Sequence, residues 1–235
     1  MRILLWHGYL LGGTGSNVYT RALAREWSKA GHEVVVFCQE PHPERYDIGN
    51  ARVFRPDIGG LLPTFVLDRY EGLQGKLLQD FTLHERNRYV ALNAAALCAQ
   101  RPADFVFANH VLLGGPVAAA TGLPFAVKAH GSELEYSMRG NAELSEWGRR
   151  SLEPAEVVYV GSRHIREVLE EVVGHVDRVR EVPPGVDVDE FRPEPRDVAL
   201  NHLIEEAVED PRNRHNANER LPDELHERLS RACAA

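Results

Sequence analysis

The chain has 235 residues, 43% of them hydrophobic and 26% charged, which fits one soluble globular domain with a well-buried core. Its net charge of -8 argues against a nucleic-acid binder, which would present a basic face, while leaving room for a local basic patch. The three cysteines, Cys38, Cys98 and Cys233, are far apart, odd in number and free of metal-like spacing, so free thiols in a reducing cytosol are expected.

Arg2 to Trp6 is a short apolar run broken at once by His7-Gly8. It is too short for a signal peptide or a membrane span, and nothing later reaches spanning length. The expected location is the cytoplasm, with peripheral membrane contact at most. The run reads as a buried first strand that ends in a glycine-rich loop, Gly8 to Ser16. Ser16 is the expected cap of a helix carrying Tyr19, Leu23, Trp27 and Ala30, stopped by Gly31. Glu33 to Cys38 is a second strand. Residues 40 to 75 hold many prolines and glycines and read as an irregular stretch with a short strand at Val53-Phe54.

Leu83, Val90, Ala94 and Leu97 mark a long helix. Strands follow at Asp104 to Asn109, Pro124 to Ala129, Val157 to Val160 and Val179 to Val182. Helices are expected at Val111 to Thr121, near Ala142 to Leu152, and around Ile165 to Val173. This alternation predicts an α/β, Rossmann-like fold, with a mostly parallel sheet and helices on both faces. Beyond Pro193 and Pro195 the chain turns charged and polar. One or two surface helices are expected there, around Leu200, Leu203 and Ile204, with a loose stretch at 213–218.

Two loops carry the strongest chemical signals. Gly12-Gly13-Thr14-Gly15 joins a buried strand to a helix N-terminus, where tight turns, free N–H groups and the helix dipole suit a phosphate. The bland reading is a tight turn that binds nothing. A nicotinamide-cofactor reading places Val18 where the third glycine should be, with Glu40 as a ribose-binding acid. His130-Gly131-Ser132-Glu133 directly follows a strand, so His130 and the glycine loop are expected to face one crevice. A histidine there can bond a sugar hydroxyl or a phosphate, or be a loop histidine satisfied by backbone. A metal at His110, His130, Glu133 and Glu135 lacks motif support. Asn109-His110 and Arg163 are weaker binding candidates, for which capping or solvation is the ordinary explanation.

Together these segments resemble retaining glycosyltransferases of the GT-B fold, family 4. The resemblance is carried by Gly12-Gly13-Thr14-Gly15-Ser16-Asn17-Val18-Tyr19, by Lys128-Ala129-His130-Gly131-Ser132-Glu133-Leu134-Glu135-Tyr136, by Val160-Gly161-Ser162-Arg163 and by Pro184 to Phe191. It implies the N-terminal half of a GT-B fold over residues 1–193, followed by a polar, partly helical extension over 194–235. It also implies hexosyl transfer from a nucleoside diphosphate sugar to an alcohol acceptor, with no metal and no other cofactor.

In that scheme Gly12, Gly13, Thr14 and Gly15 meet the donor phosphate and His130 contacts the transferred sugar. Glu133 orients the loop or meets a hydroxyl. Asn109, His110, Arg163 and Arg69 serve the acceptor side, with Arg55, Asp57 and Tyr70 shaping it. The family's donor-binding domain has no counterpart in the sequence. The expectation is therefore a truncated or split enzyme, inactive alone, whose donor domain acts in trans. The rival readings are a non-catalytic binding domain and, more distantly, a nicotinamide-dependent oxidoreductase.

Overall fold

The computed structural model describes residues 1–66, 70–189 and 191–209. The chain divides into two compact units, Met1–Pro184 and a second that begins at Gly185. The first holds a seven-stranded sheet built from β1 (Arg2–Trp6), β2 (Glu33–Phe37), β3 (Arg52–Phe54), β6 (Phe105–Asn109), β7 (Phe125–Lys128), β8 (Val157–Val160) and β9 (Val179–Glu181). Every pairing in it is parallel, in the order β3-β2-β1-β6-β7-β8-β9. All strands therefore end at one edge. The order reverses between β1 and β6, so the loops after these two strands part and open a crevice.

The helices are α1 (Gly15–Lys29), α2 (Leu83–Cys98), α3 (Gly114–Thr121), α4 (Gly131–Glu133), α5 (Ala142–Leu152) and α6 (Arg163–Val173). Side chains alternate across the strands and build two cores. On one face Ile3, Leu5, Val34, Val36, Phe107 and Ala126 meet Leu23, Ala24 and Trp27 of α1. On the other, Leu4, Trp6, Val35, Val106, Val127 and Val160 meet apolar residues of α2, α3, α5 and α6. The near-continuous apolar runs of the strands follow from burial on both faces.

Three local expectations are corrected. Thr14, not Ser16, caps α1: its hydroxyl accepts from Asn17 N at 3.4 Å, and Ser16 already lies in the first turn. The irregular stretch before α2 contains a small parallel pair of its own, β4 (Leu61–Thr64) with β5 (Gln74–Leu77). Between β7 and α5 the chain forms the one-turn α4, which runs into a π-turn at Leu134–Met138. The second unit carries α7 (Arg196–Glu209) among its described residues. The stretch at 213–218 and Arg69 lie outside the described residues. Among those residues, no helix is long and apolar enough to cross a membrane.

Candidate functional site

The loops after β1, β6 and β7 meet at the sheet edge. The glycine loop follows β1 and leads into α1. Gly13 sits at φ +90°, a conformation that disfavours a side chain, and a Cβ on Gly13 or Gly15 would meet nothing within 4 Å. Gly13, Thr14 and Gly15 are exposed, so their backbone faces open space. Gly12 packs against Tyr46: a Cβ there would lie 2.5 Å from the Tyr46 hydroxyl oxygen. The Asn17 side-chain amide donates to Gly12 O, and its Oδ1 lies 2.8 Å from His7 Nε2.

Glu40 is spent on this loop. Its buried carboxylate accepts from Leu11 N at 3.1 Å and His42 N at 3.0 Å. The ribose-binding role required by the nicotinamide reading loses its free acid for that reason.

Asn109 ends β6 fully buried. Its Nδ2 lies 3.1 Å from Thr20 Oγ1, whose hydroxyl donates to Ser16 O at 2.7 Å. With that proton committed, Thr20 accepts from Asn109, so Asn109 Oδ1 faces His130 Nε2 at 2.9 Å. This fixes the protonated nitrogen of His130 as Nε2 and leaves Nδ1 as the acceptor. Burial, reinforced by His7 and Lys128, lowers the His130 pKa to about 3, so the ring is neutral at pH 7. Tyr19 of α1 lies edge-on to it, with ring centroids 5.9 Å apart.

His110 adopts φ +73° and is 1% exposed. Its ring packs between His130 (4.7 Å between centroids), Phe65 (5.0 Å), Tyr9 (5.3 Å) and His7 (5.9 Å). Burial holds its pKa well below the usual histidine value. Burial likewise takes His7 to about 4. Neither ring nitrogen of His110, nor the Tyr9 hydroxyl, has a hydrogen-bond partner among the described residues. These three polar atoms thus lie without partners inside a buried aromatic cluster beneath the loops at this edge.

Glu133 is fully buried beneath the His130 loop. Its carboxylate accepts from His130 N at 3.0 Å and Leu112 N at 2.9 Å, so it ties the loop after β7 to the loop after β6. Burial pushes its pKa up to about 8 against those hydrogen bonds. Its Oε1 lies 3.8 Å from His110 Nδ1. Among the described residues no three His, Cys, Asp or Glu side chains are placed to hold a metal ion. Arg163 opens α6 and is exposed at the same edge.

The structure therefore brings the glycine loop, Asn109, His110, His130 and Glu133 to one edge. Sequence reasoning did not single out His7, Tyr9, Thr20 or Lys128 for this site. The available signal was position, since His7 directly follows β1 and Lys128 is a charged residue closing the apolar strand β7.

The Glycosyltransferase Family 4 model matches residues 13–190, a span that begins inside the glycine loop and contains Asn109, His110, His130 and Glu133. The chain belongs to glycosyltransferase family 4. No curated protein matches the sequence. Among solved structures, Anabaena Alr3699/HepE in complex with UDP-glucose superposes with a TM-score of 0.57 at 13% identity, covering 89% of this chain and 51% of that one. The same protein in complex with UDP and glucose gives 0.55 at 14% identity, covering 87% and 49%. This likeness shows the fold, that of one Rossmann-like half of a GT-B glycosyltransferase. The family 4 chain spans about half the length of HepE. With the family shown, neither the binding-module nor the oxidoreductase reading is favoured.

Proposed function

We propose that this chain forms the acceptor-side half of a transferase site that moves a glycosyl group from a nucleoside diphosphate sugar to an alcohol, with retention. The carrying observation is that the family match runs from within the glycine loop through the histidine loop, both of which lie at one switch-point edge. The open backbone at Gly12 to Gly15 and the N-terminus of α1 suit the departing diphosphate. His130 contacts the sugar, and Glu133 positions it from below. Asn109, His110, Arg163 and Arg69 serve the acceptor side. HepE holds UDP-glucose, which supports a uridine diphosphate sugar as donor class. The donor-binding half comes from a second domain, in a longer polypeptide or in trans. A cytoplasmic setting agrees with the free thiols Cys38 and Cys98.

The test is a sugar-transfer assay with this chain alone, with a candidate donor domain, and with His130→Ala. Turnover that needs the donor domain and is lost in His130→Ala is expected. Transfer indifferent to His130→Ala sinks the site, and tight NADH binding without transfer revives the oxidoreductase.

A further inference from the structure

We propose that Lys128 is a further ligand-contacting residue of the crevice, and that its ammonium takes an oxygen of the donor diphosphate. The inference rests on the transferase reading and adds a residue to it.

The chain has only three lysines. Lys29 Nζ pairs with Glu26 at 3.3 Å and Lys76 Nζ with Glu85 at 2.9 Å. Lys128 has no carboxylate partner among the described residues, although it is only 3% exposed. Of its three donors, one reaches Val182 O at 3.3 Å, while the ammonium lies 5.5 Å from the centre of the Tyr19 ring. A lysine that is buried and not paired with an anion is a costly arrangement, and such groups concentrate at functional sites.

Its position fits that role. Lys128 closes β7 two residues before His130, at the carboxyl edge. The ammonium reaches past the ends of β8 and β9, 3.5 Å from where a Gly161 Cβ would stand. Tyr19, which it faces, belongs to the helix that the glycine loop opens and lies edge-on to His130. His7, His110 and His130 are all held neutral, so Lys128 brings to the neighbourhood of His130 a positive charge that these rings do not supply. Burial lowers that lysine's pKa to about 8, so it remains charged at pH 7 and gains from a bound anion.

The test uses the 235-residue chain labelled with carbon-13 lysine, giving three lysine Cε signals, and with nitrogen-15 glycine, giving the Gly13 and Gly15 amides. Sodium pyrophosphate and UDP are the probes, with sodium chloride matched for ionic strength. The Lys128 signal is expected to titrate near pH 8 and, with either probe, to move up by about one unit, as for an amine gaining an anionic neighbour. Lys29 and Lys76 should stay in place. A silent Lys128 while the Gly13 and Gly15 amides respond overturns this proposal and leaves the transferase reading standing. Silence at all three overturns the phosphate site itself.

Lys128→Met supplies a second readout. Removing a buried charge is expected to raise the melting temperature at pH 7 while weakening UDP binding about tenfold or more. Unchanged UDP affinity in Lys128→Met overturns the proposal whatever the melting temperature does.

Discussion

His130 Nε2 lies 2.9 Å from Asn109 Oδ1, so the end of β6 sets the orientation of the residue that opens α4. Replacing Asn109 by Ala strips partners from both His130 and Thr20 and is expected to cost about 1–3 kcal/mol in urea unfolding. Asn109→Asp keeps the acceptor but adds a negative charge, which favours the imidazolium. The His130 ring should then titrate above its native value of about 3, read from ring-proton NMR. An unmoved midpoint in Asn109→Asp counts against the pairing.

Two glycines separate folding from binding. A Cβ at Gly114 would stand 1.9 Å from Asn109 O, a backbone atom that cannot swing away. Gly114→Ala should therefore destabilise strongly, by about 3 kcal/mol or more. A Cβ at Gly15 meets nothing, and Gly15 opens α1 without a positive φ. Gly15→Ala should melt within a degree or two of the native protein, reflecting about 0.5 kcal/mol or less. If the loop receives phosphate, it should still weaken UDP binding measured by NMR titration.

Acid should loosen the fold. His7, His110 and His130 have native pKa values below the ordinary 6.5, near 4 for His7 and near 3 for His130. As pH falls through 6.5, the unfolded chain binds protons that the native rings refuse, so stability drops. Glu133 works in the opposite direction. Its carboxyl, raised from 4.5 to about 8, favours the fold as pH falls between those values. Three histidines outweigh one carboxyl, so urea midpoints should fall from pH 7 to pH 4.5. His110→Asn tolerates the positive φ and should flatten that fall. A native profile that stays level over this range contradicts burial of neutral histidines.

Glu133→Ala leaves the His130 and Leu112 amides unpaired and opens a void beneath the loop. The expected loss is about 2–4 kcal/mol, with faster amide exchange at His130 and Leu112 than at the β1 amides. Equal protection of these amides in native protein and Glu133→Ala would show that the carboxylate does not pin the two loops.

The sequence by itself determined the strands of the seven-stranded sheet, most of the helices and the edge at which the loops gather. Apolar runs such as Arg2–Trp6 and Phe105–Asn109, and the stripe Ile165, Val168, Leu169 and Val172, are local signals written in consecutive residues. The parallel pair at Leu61–Thr64 and Gln74–Leu77 carries no clear strand signal because Pro63 and Gly75 sit inside it. The α4 turn is too short for periodicity to register.

What only the tertiary structure decided is the partnership across loops. Thr20, Asn109 and His130 are joined by hydrogen bonds spanning 89 and 21 residues of sequence. They meet because β1, β6 and β7 stand side by side. Likewise, Lys128 reads as one more charge in sequence. It becomes, among the described residues, the lysine without a carboxylate only when β7 is buried against its neighbours and Tyr19 closes over it. Strand patterning is set by local apolar periodicity, whereas these contacts depend on strand order, which no single segment encodes.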